Sequence, residues 1–224
     1  MGLLDWLKNG KTRFTRFDEA YALTRPALWQ SLRQTVQAPH HAAKSIWLVV
    51  HFTDTFSTLQ SELDVWQLDY EIVSKPIDLN QLERSGLLSP GKINIVLADL
   101  IPEIGGEILL EPNPDQTIAM IVVERHPQIK RDDQLESFAR ALPVRVEFGY
   151  YLSLEDDVVR LVINDTSIKI LKQLGMDEHE LIASTMVTRR LNKMLRRVAE
   201  TYRSDAPADS AKLWLEANGM PGEP

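Results

Sequence analysis

Three apolar segments constrain this chain more than any other feature. Ser45 to Phe52 reads Ser-Ile-Trp-Leu-Val-Val-His-Phe, Ile93 to Ala98 reads Ile-Asn-Ile-Val-Leu-Ala, and Thr117 to Val123 is also nearly all apolar. Runs this short and continuous suit strands covered on both faces, which is the condition of a parallel sheet. Helical patterns lie between them. A helix runs from Thr53 to about Trp66, with Leu59 and Leu63 inward and N-cap candidates at Thr53, Asp54 and Thr55. A strand follows at Asp69–Val73, a short helix at Gln81–Leu88, a further strand at Glu107–Leu110 and a turn at Glu111–Gln116. Strand–helix–strand alternation predicts an α/β domain with a mainly parallel sheet between two helical layers. Ligands of such sheets sit at the carboxyl ends of the strands. Those ends carry His51, Asp99 and the trio Glu124-Arg125-His126.

The flanks read as helix. Phe17 to Val36 has an apolar stripe at Tyr21, Leu28, Leu32 and Val36, with Pro26 able to bend it. Ala38-Pro39-His40-His41 reads as a solvated loop. Pro143 to Val146 alternates apolar and charged residues, as a strand does. Val158 to Leu174 reads as a helix ending at Gly175. In a further helix, Leu191, Leu195, Val198 and Tyr202 form one stripe, while Arg189, Lys193 and Arg196, with Arg190 and Arg197 beside them, form a basic face. The tail from Ser204 is rich in Asp, Ala, Pro and Gly, and Lys212–Ala217 has the length of one helical turn around Trp214.

Composition closes several functional classes. The chain has 224 residues, 44% apolar and 25% charged, with a net charge of −7. That charge argues against a nucleic-acid groove. The absence of cysteine excludes disulfides, thiolate catalysis and Cys-based zinc sites. No apolar run approaches the roughly 20 residues of a membrane span, and no signal-peptide pattern is read at the start, so the expected location is cytoplasmic. Leu3, Leu4, Trp6 and Leu7 form a short amphipathic turn that suits packing better than membrane insertion. Gly10-Lys11-Thr12 looks like the end of a phosphate-binding loop, but that loop needs glycine where Asp5 stands. No nucleophile elbow and no His-Glu-x-x-His motif occurs. The carboxylate groups Asp132/Asp133 and Glu155/Asp156/Asp157 read as structural rather than metal-binding or acid–base sets.

Two blocks carry a resemblance: Glu124-Arg125-His126 with Asp132-x-Gln134-Leu135, and Tyr151-Leu152-Ser153-Leu154-Glu155-Asp156-Asp157. They resemble the second nucleotide-binding domain of the preprotein-translocase motor SecA, and the two sequences lie together from Glu124 to Asp157 without a gap. Leu174-Gly175-Met176 and Met186-Val187-Thr188-Arg189-Arg190-Leu191 are similar to the family's Leu-Gly-Met and Met-Val-Thr-Arg-Ala-Leu as well. The resemblance implies a RecA-like, helicase C-terminal-type sheet with a helical C-terminal extension. It also implies domain limits: a short segment at 1–15, the α/β domain at 16–157, the helical extension at 158–203 and a flexible tail at 204–224.

The family's last motif, Gln-x-x-Gly-Arg-x-Gly-Arg, aims arginines at nucleotide phosphates, a contact that can be worth about a thousandfold in rate. In this chain the two arginine positions fall on Phe138 and Ala141, and the first glycine on Ser137. Arg140 stands one place before the second arginine position, and a solvated helix face is its expected setting. The family's Gly-Arg-Gly-Thr-Asp loop is replaced by Asp99 to Gly106, with Gly105-Gly106 read as a turn. The resemblance therefore implies a degenerate motor domain that is not an enzyme and holds no cofactor. Glu124, Arg125, His126, Arg131, Gln134 and Arg140 are the vestigial nucleotide-side positions at which ATP or ADP would be met. For the trio, the expected arrangement is a buried Glu124–Arg125 pair with His126 as a capped turn residue. The basic residues Arg189, Arg190, Lys193, Arg196 and Arg197 are the candidates for binding a protein partner. Half of a split motor, or an adaptor touching the membrane surface, are the alternative readings.

Overall fold

The computed structural model describes residues 13–104, 113–173, 181–202 and 204–219. The amphipathic start, Gly10-Lys11-Thr12, Gly105-Gly106, the strand expected at Glu107–Leu110 and Leu174-Gly175-Met176 lie outside them. Among the described residues, strands are β1 (Phe14–Arg16), β2 (Ala20–Ala22), β3 (Ser45–Val50), β4 (Tyr70–Val73), β5 (Ile93–Leu97), β6 (Asn113–Val122), β7 (Val144–Ser153) and β8 (Ile182–Ala183). The helices are α1 (Arg25–Val36), α2 (Thr53–Val65), α3 (Ile129–Ala141), α4 (Asp157–Arg160), α5 (Asp165–Gln173), α6 (Thr185–Thr201) and α7 (Ala211–Ala217).

The sheet runs β4-β5-β3-β6-β7-β2-β8, and β1 also pairs with β7. Every pairing is parallel except that of β2 with β8. The mostly parallel α/β architecture expected from the apolar runs is therefore observed. Alternation along β3 explains the layers. Trp47 and Val49 join Met120, Val122 and Val96 on one face, under Leu135 and Phe138 of α3 and Leu191 and Leu195 of α6. Ile46, Leu48 and Val50 join Ile95 and Ile121 on the other, under Leu32 of α1 and Leu59 and Leu63 of α2. Each such fully buried aliphatic side chain contributes about 1.5–3 kcal/mol relative to exposure.

Several elements differ from the sequence reading. The N-terminal helix begins at Arg25 rather than Phe17. The Thr24 side chain accepts from the Ala27 N–H, and Pro26, which has no N–H to bond, fits that first turn. This frees Ala20–Ala22 to pair with β7, so Tyr21 belongs to a strand. Gln81–Leu88 is not a helix: a 3-10 turn spans Leu79–Gln81, and Gly86 at φ 80° ends any continuation. The Leu87 carbonyl is instead held by the Ser45 hydroxyl and the Trp47 indole at 2.6 and 2.9 Å. Part of the turn expected at Glu111–Gln116 is strand, because β6 starts at Asn113 and absorbs a register shift before Thr117. The helix expected over Val158–Leu174 divides, and the Asn164 side chain caps its second part through the Ser167 N–H at 2.9 Å. The loop at Pro39–His41 is a 3-10 turn whose His41 is buried, which lowers its pKa to about 4, with Lys44 adding to the effect. Finally, residues 204–219 are packed: Trp214 of α7 is buried against Phe52 and Val198.

Candidate functional site

Sheet order reverses beside β3. The chain passes from β3 to β4 and β5 on one side, then places β6 on the other. The crevice past the carboxyl ends of β3 and β6 is thus where a sheet of this kind receives a ligand. His51 and Phe52 leave β3 there, and Glu124, Arg125 and His126 leave β6. Next to it lies the N-terminus of α2, whose free N–H groups would attract an anion.

That N-terminus is already occupied from within. Glu124 accepts from the backbone N–H of His51 at 2.7 Å and of Phe52 at 3.0 Å, and from the Thr55 hydroxyl at 2.7 Å. The helix has no side-chain cap at its N-cap residue Phe52, so in place of a cap by Thr53, Asp54 or Thr55 a carboxylate from the neighbouring strand meets this end. Burial raises the Glu124 pKa, opposed by His51, Thr55 and the two backbone donors. Asp209 adds a second plug. Its carbonyl accepts from the Asp54 N–H at 3.0 Å and its carboxylate from the Thr53 hydroxyl at 2.7 Å.

Glu124 and Arg125 do not form the expected pair. Successive residues leaving a strand point to opposite faces, and Arg125 turns away to a different set of partners. Its Nε donates to Asp132 at 2.6 Å, one terminal nitrogen meets Glu19, and the other donates to Asn192 at 3.0 Å. The guanidinium lies 4.6 Å from the centre of the Tyr150 ring. Arg125 is 3% exposed, Glu19 3% and Asp132 2%. Burial opposes the charge on Arg125, but Asp132, Tyr150 and Glu19 outweigh it and raise its pKa. Burial likewise opposes charge on Asp132, and Arg125 outweighs that to hold its pKa low. The network continues through His51 Nε2 to Asp132 at 2.8 Å and through the Tyr21 hydroxyl, which donates to Glu19 at 2.6 Å.

His126 occupies a buried aromatic slot. Its ring stacks on Phe52 at 5.2 Å, meets Trp214 edge-on at 5.5 Å, and its Nδ1 accepts from the Gln128 N–H at 2.9 Å. Burial, reinforced by His51, lowers its pKa to about 3. The remaining nucleotide-side positions scatter. Arg131 bonds Asp205 at 2.9 Å and reaches Asp99 at 3.3 Å. Gln134 pairs with Glu103. Arg140 is 55% exposed, pairs with Glu136 on its own helix and lies over the Phe14 ring at 4.0 Å. Phe138, at a position where the resemblance places an arginine, is core, packed 6.2 Å from Trp47.

A cavity of about 280 Å³ remains beside this crevice, and the carboxylates of Asp54, Glu124, Asp156 and Asp157 line it with Arg25, Arg125 and Lys212. Asp156 accepts from the Ser153 N–H at 2.8 Å, and burial raises its pKa to about 7. Four carboxylates face three cations here, and one of those, Arg125, is already engaged by Glu19 and Asp132, which makes this a poor place for a triphosphate. A groove of about 820 Å³ lies elsewhere, between α6 and the segment Arg16–Glu19. Arg189, Lys193, Arg196 and Arg197 line it, whereas Arg190 does not.

Sequence reasoning missed Glu19, Asn192, Asp205 and Asp209 as partners of this centre. The signal for Glu19 was the Thr24-x-Pro26 helix start, which places Glu19 outside the helix.

Fold and site together define a mostly parallel α/β domain whose switch-point crevice is filled by its own side chains. The chain is similar to protein translocase subunit SecA of several bacteria. It is 33% identical over 105 residues to that of Lawsonia intracellularis, covering 47% of this chain and 11% of the relative. It is 25% identical over 192 residues to that of Oleidesulfovibrio alaskensis, covering 78% and 20%, and 29% identical over 147 residues to that of Amoebophilus asiaticus, covering 58% and 13%. The chain thus spans a tenth to a fifth of the length of these relatives. No family model matches it. Among the described residues, no helix is long and apolar enough to cross a membrane.

Proposed function

We propose that this chain is a non-catalytic, SecA-like module that binds a protein partner in connection with protein translocation. One observation carries the reading: Arg125, the vestigial position nearest the crevice with a permanent charge, is held between two buried carboxylates. A phosphate would have to displace both, and would meet Glu124 already seated on the α2 N-terminus. Phe138 in the core, and Arg140 paired on its own helix, support the same reading. The module assigns no residue to catalysis and needs no cofactor. The similarity to SecA is what links it to translocation.

The test is a calorimetric titration of the purified chain with ATP and with ADP, magnesium present. No saturable binding is expected up to millimolar nucleotide. Micromolar binding that disappears in an Arg131→Ala or Arg140→Ala variant would overturn the reading, because an exposed arginine would then have taken over phosphate contact.

A further inference from the structure

The exposed face of α6 is charged against the trend of the whole chain. Arg189, Lys193, Arg196 and Arg197 fall at i, i+4, i+7 and i+8, so one side of the helix carries all four. All four are exposed, and among the described residues none forms a salt bridge. Arg196 lies close enough to Asp133 to influence its charge without pairing to it. The opposite wall of the groove offers Asp18 and the end of α6 offers Glu200, while Arg16 and Glu19 are engaged with Glu136 and Arg125, so among the described residues four unpaired cations face two free carboxylates. Phe17 is 51% exposed at the rim. A protein of net charge −7 has abundant carboxylates with which to neutralise one helix face, yet this face keeps its cations.

Resting on the reading of the chain as a protein-binding module, we infer that this groove takes an acidic peptide segment of the partner carrying an apolar residue for Phe17. From Arg189 to Arg197 the helix rises about 12 Å. An extended peptide places same-side carboxylates about 6.6 Å apart, so two or three would face these cations. A bilayer is planar and fits a groove poorly. A single-stranded nucleic acid would want several stacking aromatics, and this groove presents Phe17 alone among the described residues.

The experiment is fluorescence anisotropy with a labelled decapeptide of alternating Glu and Gly and one central Phe. Saturable binding that weakens with added salt is expected. Arg189→Ala/Lys193→Ala/Arg196→Ala should weaken it about tenfold, since three exposed charge contacts are lost. Alanine at exposed helical sites preserves the fold, which circular dichroism checks. Arg140→Ala, an exposed arginine on α3, should leave binding unchanged. Absence of binding, or equal binding by the triple variant, overturns the inference. So does stronger binding through these same cations to oligothymidylate or to phosphatidylserine vesicles. Repeating the ATP titration on the triple variant separates the two levels. Nucleotide binding that survives there belongs to the strand ends and sinks the module reading, while failure of the peptide alone sinks only the groove.

Discussion

Replacing Arg125 by alanine removes one cation from between two carboxylates that cannot reach water. Glu19 and Asp132 have side chains 1% and 3% exposed, so each would remain as an unpaired buried charge or take up a proton. Breaking one partner out of such a pair costs about 3–5 kcal/mol, most of it the penalty on what is left behind. The contact with Tyr150 and the bond to Asn192 are lost too. For a domain of this size that corresponds to a fall in melting temperature of about 6–20 °C. Urea unfolding followed by circular dichroism and tryptophan fluorescence measures it directly. A second set of variants tests the cause. Adding Glu19→Gln and Asp132→Asn to Arg125→Met should recover part of the loss, because the orphaned charges disappear with their partner. If Arg125→Ala costs less than about 1 kcal/mol, the range of an exposed pair, the guanidinium is not an internal clamp and the argument against phosphate contact fails.

Two further outcomes follow from neighbouring residues. His126 is neutral when folded, with a pKa of about 3, and titrates near its ordinary value when unfolded, so the unfolded chain binds the extra proton in between. Its contribution to stability is complete above about pH 6.5 and is lost as the pH falls, reaching about 3 kcal/mol near pH 4. Asp156, raised to about 7, works in the opposite sense, favouring the fold as pH drops from 7. The measurement is therefore the difference between the native chain and His126→Phe across this range, and an unchanged slope would refute the assignment. Trp214→Ala removes a side chain 1% exposed that packs on His126 and bonds Asp205 at 3.0 Å. A loss of up to about 3–5 kcal/mol is expected, read as faster hydrogen exchange at residues 204–219. Unchanged protection there would mean that the tail is held by something else.

What the sequence made legible was whatever depends on local pattern. β3 and β5 end within two residues of the apolar runs at Ser45–Phe52 and Ile93–Ala98, because a strand covered on both faces has no polar register to obscure it. The stripe Leu191, Leu195 and Val198 packs inward on α6 as its spacing required. The contents of the switch-point crevice were not legible. Glu19 lies 106 residues from the arginine it neutralises, and no local periodicity reports such a pairing. Tyr21 sat at helical spacing from Leu28, and that coincidence hid a strand. The tail's Asp, Ala and Pro content resembles a solvated linker, whereas Asp205 and Asp209 are spent on Arg131 and Thr53. Trp214, the one aromatic residue of that tail, is the side chain that buries it against Phe52 and Val198.

The pairing of β1 and β2 with β7 sets a schedule for synthesis. Phe14 lies opposite Val146, and Ala20 opposite Tyr151, so each strand is translated more than a hundred residues before its partner. At about 5–20 residues per second, β1 and β2 wait roughly 7–26 seconds without their strand partner. Glu19 and Tyr21 wait with them, and the arginine that will neutralise Glu19 is made only shortly before β7. On the ribosome, β1 and β2 find their places only after β7 has been made.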